Sequence, residues 1–220
     1  MPELGIINTP YLTDLQRKKG ERDMLFPGTV VFRGKEHGYT YINRGEECIV
    51  FAYPGEKKKV LSIDYKDTLS IKDAKLQYYY HNILATVFPH NFPRMHASFG
   101  SNSSTDITGD VRQRIAKARK KRPAKIHYPL RKVRKISNDW ALPFTQDFNP
   151  DNVITTAKGE EFYVDTLTVD KNDTAEIDNI IIYMRHHHYS DTDIKKVQRY
   201  QTRMKDIWED KLRGKKINTP

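Results

Sequence analysis

The chain has 220 residues, with 38 Lys and Arg against 28 Asp and Glu, a formal net charge of +10, and 37% hydrophobic residues. That length allows one or two domains with a buried core. No apolar run reaches the roughly 20 residues of a membrane span, and the N-terminus lacks the basic-then-apolar pattern of a leader. A single cysteine, Cys48, argues against a disulfide framework or a thiolate zinc centre. The expectation is a soluble, cytoplasmic, folded protein.

In chain order, residues 1–28 read as an irregular segment, because Pro2, Pro10 and Pro27 interrupt them. Residues 29–66 read as strands, at 29–32, 39–42, 47–53 and 60–66. The last alternates: Leu61, Ile63 and Tyr65 share one face, and Ser62, Asp64 and Lys66 share the other. A helix is expected over 70–88. Ser70 with Asp73 three residues later resembles a capping box, the apolar positions Ala74, Tyr80, Ile83, Leu84 and Val87 fall at helical spacing, and Pro89 stops it. Residues 95–99 return as a strand, and 100–109, rich in Ser, Asn, Thr and Gly, read as a loop. Further on, 153–156 and 161–164 form a hairpin around Lys158-Gly159. Two helices close the chain, the second capped by Ser190 and Asp193 and stopped at Gly214.

The positive charge is local. Residues 112–135 hold 12 Lys and Arg and no acid; without them the chain has 26 basic and 28 acidic residues. Such a block attracts polyanions. Its core, Arg119, Lys120, Lys121 and Arg122, is the candidate polyanion-binding segment. With Pro123 and Pro129 breaking it, the block is expected to form one or two exposed helices. The run His186-His187-His188 reads as a solvated helix end, since consecutive helical residues point about 100° apart and cannot converge on one ion.

The chemistry-bearing stretch is Asp147-Phe148-Asn149-Pro150-Asp151-Asn152, followed 13 residues after Asn152 by Asp165, at the end of an apolar strand. The order of the other elements is a strand meander, a helix, a return strand, a connector, this loop and then C-terminal helices. Together they resemble the protein-kinase-like superfamily, in particular its compact aminoglycoside, choline and lipopolysaccharide-kinase-type phosphotransferases. The resemblance spans roughly residues 39–188, and 147–165 carry it. It implies an α+β, kinase-like fold: a small antiparallel N-lobe sheet with one helix, and a reduced, mainly helical C-lobe. Residues 29–100 would form the N-lobe. Residues 101–220 would form the C-lobe, with a basic helical segment at 111–136, a catalytic-loop hairpin at 145–169 and C-terminal helices at 174–213.

The resemblance also implies roles. Asp147 would orient and deprotonate an acceptor hydroxyl, Asn152 and Asp165 would hold the metal, and Lys66 would hold the nucleotide phosphates. ATP and Mg²⁺ are the implied cofactors, and the partners are a nucleotide and an anionic or phosphorylated substrate. The chain departs from the family pattern at several points. The 70–88 helix has no Glu to pair with Lys66, its only acid being Asp73, and the first strands offer only Gly34, Gly38 and Gly45 in place of a glycine-rich loop. Gln146 precedes Asp147, and Thr166-Leu167 follow Asp165. The alternative reading is a catalytically degenerate kinase-like protein, or a basic protein that binds nucleic acid or a partner through its charged segment.

Overall fold

The computed structural model of the chain describes residues 10–22, 27–44, 48–65, 69–101, 107–118, 123, 125–143, 150–165, 169 and 171–217. The fold is α+β. The helices are α1 (Pro10–Arg22), α2 (Pro27–Glu36), α3 (Ile71–Val87), α4 (Leu130–Trp140), α5 (Lys171–His186) and α6 (Asp191–Ile217). The strands are β1 (Thr40–Arg44), β2 (Cys48–Ala52), β3 (Lys59–Asp64), β4 (Met95–Phe99), β5 (Thr108–Gln113), β6 (Val153–Thr155) and β7 (Glu161–Tyr163). No helix of the described residues is long and apolar enough to cross a membrane. The chain divides into two compact units, Met1–Tyr78 with Met95–Arg114, and Tyr79–Arg94 with Ile115–Pro220.

The first unit is built on a five-stranded sheet in the order β1-β2-β3-β5-β4, every neighbouring pair antiparallel. One face carries Ile49, Phe51, Leu61, Ile63, Phe99 and Val111, and these pack with Tyr11, Leu12, Leu15 and Val30 in one apolar cluster. Residues 10–22 are therefore helical, not irregular. Pro10 and Pro27 are each the first residue of their helix, where a missing N–H costs nothing and a fixed φ suits the helix. Tyr11, Leu12 and Leu15 then form a buried stripe one turn long. Truncating a fully buried leucine such as Leu15 to alanine costs about 2–5 kcal/mol, so tertiary burial holds a helix whose propensity alone is marginal.

The expected strand at 29–32 lies in α2 instead. Its burial follows helical spacing: Val30 and Gly34 are buried, while Phe32 is 58% exposed. A Cβ on Gly34 would lie 2.6 Å from the Phe51 ring, so the helix rests on the sheet at backbone distance. The Tyr11 hydroxyl donates to the Val30 carbonyl at 2.9 Å and ties α1 to α2.

β5 occupies part of the expected 100–109 loop and the start of the expected basic helix. It pairs with β3 from Lys59↔Gln113 to Asp64↔Thr108 and with β4 from Met95↔Arg112 to Phe99↔Gly109. Strand pairing on both sides outweighs the weak local preference of Thr-Gly-Asp-Val-Arg-Gln. Among the described residues of the expected 111–136 helical segment only those of α4 are helical; residues 114–118 have no regular structure.

In the second unit α5 and α6 pack together. Ile177, Ile180, Met184, Val197 and Met204 are all fully buried. The Gln201 amide donates to Asp178 at 2.8 Å. α6 begins as the sequence implies, with the Asp193 N–H donating to Ser190 Oγ at 3.1 Å, but it continues through Gly214 to Ile217. α5 starts at Lys171, earlier than the expected 174–175. It ends at His186, and His188 turns the chain at φ 55°. The three histidines are exposed, with His186 and His187 against the Trp140 ring at 5.0 and 5.6 Å between centroids. In the Tyr78-Tyr79-Tyr80 run, Tyr80 is buried and donates to the Pro143 carbonyl, and Tyr79 packs on Tyr200.

Candidate functional site

The hairpin of the second unit is short and regular. Val153, Ile154 and Thr155 pair with Tyr163, Phe162 and Glu161. The turn closes through the Thr156 N–H on the Glu160 carbonyl at 2.9 Å and the Gly159 N–H on the Thr156 carbonyl at 3.0 Å. Gly159 sits at φ +77°, and a Cβ there would lie 2.3 Å from the Lys125 carbonyl oxygen. Two requirements thus select glycine: left-handed backbone and close approach of the 125–128 segment. That segment lies along the hairpin, with the His127 N–H on the Gly159 carbonyl at 2.8 Å and the Glu161 N–H on the Tyr128 carbonyl at 3.3 Å.

Equal arms carry the residues just outside the ladder to one end. A 3₁₀ turn at Pro150–Asn152 leads into β6, and the Val164 N–H donates to the Asn152 carbonyl at 2.9 Å, extending the ladder by one step. The side chains meet there: Asn152 Nδ2 donates to Asp165 Oδ2 at 2.6 Å. Asp165 is exposed and Asn152 half-buried. Of the residues singled out by sequence, these two are brought together. Asp147, Lys66, Arg119, Lys120, Lys121 and Arg122 lie outside the described residues.

The pair suits a hard divalent ion. Mg²⁺ takes one or two protein carboxylates and keeps water or phosphate on its other positions. A half-turn of the Asn152 amide presents Oδ1 in place of Nδ2. Two oxygens in neighbouring positions of an octahedral ion with ligands at ~2.1 Å lie roughly 3 Å apart. The observed 2.6 Å separation needs only a few tenths of an ångström of relaxation. Among the described residues no group of three or more His, Cys, Asp and Glu converges as a metal site, so any such ion would draw its remaining ligands from water and a bound substrate.

The basic segment is not uniform. Arg114, Lys117, Lys125, Arg131, Lys132, Arg134 and Lys135 are exposed, but Arg112 is 6% exposed and forms a bidentate pair with Asp110, itself 4% exposed, with Arg112 Nε on Oδ1 at 2.6 Å. The expectation of a wholly exposed block is corrected here. β5 alternation turns Arg112 to the same sheet face as Ser62 and Asp64 of β3, where Thr108 Oγ1 donates to Asp64 at 3.0 Å. Burial disfavours the Arg112 charge, but the adjacent Asp110 carboxylate outweighs it and holds the guanidinium more firmly protonated. On the same side, burial pushes the Cys48 thiol up. Nothing in the local sequence distinguishes Arg112 from its eleven basic neighbours.

α4 concentrates the exposed charge. Its buried side is Leu130, Val133 and Ser137. Arg131, Lys132, Arg134 and Lys135 occupy the other side, within about 6 Å of helix rise. They include like-charge pairs at i,i+3 and i,i+4, each unfavourable by about 0.2–0.5 kcal/mol. Two stand in the first turn, where the helix dipole also opposes cations. Burial of Leu130 and Val133, at roughly 1.5–3 kcal/mol each, outweighs these terms. Glu161 caps the helix by accepting the Leu130 N–H at 3.0 Å. Just before α4, the Tyr128 ring stacks on His90, centroids 4.1 Å apart and planes 16° from parallel. This pair was not legible in the sequence, because 38 positions separate the two rings and no spacing rule links them.

No protein-family model matches this chain, and no curated protein matches its sequence.

Proposed function

We propose that the protein is a kinase-like phosphotransferase that moves a phosphoryl group from ATP to a hydroxyl acceptor, with Asn152 and Asp165 as its metal-holding pair. The observation that carries this reading is the 2.6 Å contact between Asn152 and Asp165 at the end of an antiparallel hairpin. The order of the meander β1–β3, helix α3 and return strand β4 supports it as well. A Mg²⁺ ion held there would neutralise charge on the transferring phosphates. Asp165, exposed at the end of the β7 arm, supplies the carboxylate. Asn152 supplies a neutral oxygen and, through its carbonyl on Val164, fixes the arm that carries Asp165. Asp147, five positions before Asn152, takes the acceptor-orienting role, and Lys66, two positions past β3, the phosphate-binding role.

The test is a thermal shift with ATP and Mg²⁺ together, compared with either alone. A ligand at a hundred times its dissociation constant adds about 2.7 kcal/mol of stability, so the combined ligands should raise Tm by several degrees. Asp165→Ala should abolish that shift while leaving the ligand-free Tm within about 1–2 °C, because Asp165 is exposed. No shift in the parent protein at millimolar ATP and Mg²⁺, or an undiminished shift in Asp165→Ala, rejects the reading.

A further inference from the structure

The second unit joins a cationic ridge to an exposed aromatic stack, and we infer that the two together bind single-stranded nucleic acid. The ridge is the outer side of α4: Arg131, Lys132, Arg134 and Lys135, all exposed. Among the described residues Arg131 and Lys132 make no ion pair, and Lys135 pairs only with the exposed Asp139, at 3.1 Å. The stack is Tyr128 on His90, with Tyr128 44% exposed and placed three residues before Arg131. Rings and cations therefore lie within reach of one short strand.

The stack is held in place. The Asn91 amide donates to the Tyr128 carbonyl at 2.8 Å and to the Glu161 carbonyl at 3.0 Å, and Tyr128 pairs with the hairpin edge at Glu160. His90 Nδ1 is 2.8 Å from Glu160 Oε1. The nearby acids are engaged by the protein: Glu160 by His90 and Thr156, Glu161 by the first N–H of α4, and Asp139 by Lys135. They subtract from the local field without reversing it.

The chemistry selects the ligand. Clustered cations attract phosphates whatever the sequence of bases, and an aromatic ring offered to solvent stacks any unpaired base. A duplex keeps its bases inside the stack and cannot use Tyr128. A membrane surface would need apolar side chains on the charged side of α4. That side carries Arg131, Lys132, Arg134, Lys135, Asn138 and Asp139, and the apolar residues of the helix are turned away from it, Leu130 and Val133 buried and Ile136 and Trp140 half-buried. The proposal uses neither Asn152 nor Asp165, so it stands or falls apart from the phosphotransferase reading.

Fluorescence anisotropy with a labelled 12-nucleotide oligouridylate tests it on the full chain between about 50 and 200 mM salt. Four phosphate contacts at ~0.7 each contribute a slope near −2.8 in log K against log salt, about a 50-fold loss over that fourfold range. Arg131→Gln, Lys132→Gln, Arg134→Gln and Lys135→Gln combined should lower the slope by that amount, since glutamine keeps helix propensity. Tyr128→Ala should weaken binding about tenfold at every salt concentration with the slope unchanged, and Tyr128→Phe should bind like the parent. In the parent protein, a 5-bromouridine strand should photocrosslink to the peptide containing Tyr128 or His90, a readout that needs no variant to fold. An unchanged slope in the quadruple variant, crosslinks only elsewhere, or equal or tighter binding to a 12-base-pair duplex or to phosphatidylserine vesicles overturns the proposal.

Discussion

Replacing Asp110 with alanine removes the bidentate partner of a buried guanidinium. Both groups are nearly inaccessible, Asp110 at 4% and Arg112 at 6% exposure, so water cannot take over the lost hydrogen bonds. Breaking a buried ion pair from one side costs about 3–5 kcal/mol, whereas replacing both members by apolar residues of similar volume is often neutral or stabilising. Asp110→Ala should therefore lower Tm by roughly 6–20 °C, taking about 2–4 °C per kcal/mol for a chain of this size. Asp110→Ala with Arg112→Met should recover most of that loss. The positive coupling between the two changes is the diagnostic quantity. Urea denaturation followed by circular dichroism gives the free energies, and unchanged m-values license the comparison. If Asp110→Ala stays within about 1 kcal/mol of the parent, or the double variant is no better than the single, the pair is not desolvated in solution and the burial argument for β5 is wrong.

Gly159→Ala should destabilise by more than about 1 kcal/mol, because the residue needs both positive φ and the space now taken by the Lys125 carbonyl; a urea midpoint equal to the parent's would refute it. Ser190→Ala should cost about 1 kcal/mol by removing the N-cap of α6, with amide exchange accelerated in the first turn of that helix. Asp14 has a side-chain pKa below the ordinary 3.8: burial opposes its charge, but the Arg17 hydrogen bond, the Arg33 charge and His37 outweigh that. Its contribution is thus fully present above about pH 4 and fades as pH falls through the lower folded-state value. Asp14→Asn should flatten the acid limb of the stability curve, and an identical limb in both proteins would contradict the assignment.

Where structure depends on neighbours a few residues away, the sequence by itself determined it. The Ser70–Asp73 and Ser190–Asp193 caps, the alternation of Leu61 and Ile63, and the Lys158-Gly159 turn all act within four residues, and each is present. The meeting of Asn152 and Asp165 belongs to the same class, because a hairpin with equal arms brings its two ends together whatever surrounds it. Tertiary structure alone decided the rest. Pro10 and Pro27 look like breakers in isolation and become helix starts because Tyr11, Leu15 and Val30 have a sheet to pack on. Thr-Gly-Asp-Val-Arg-Gln has no strand pattern of its own and becomes β5 because β3 and β4 present unpaired edges to it. Arg112 carries the same charge as its neighbours, yet strand alternation turns it inward onto Asp110 while Arg131 and Lys132 face solvent. Long-range pairing and burial select among conformations that local propensity leaves within about 1 kcal/mol of each other, and in those places a residue's neighbours in space decided its role.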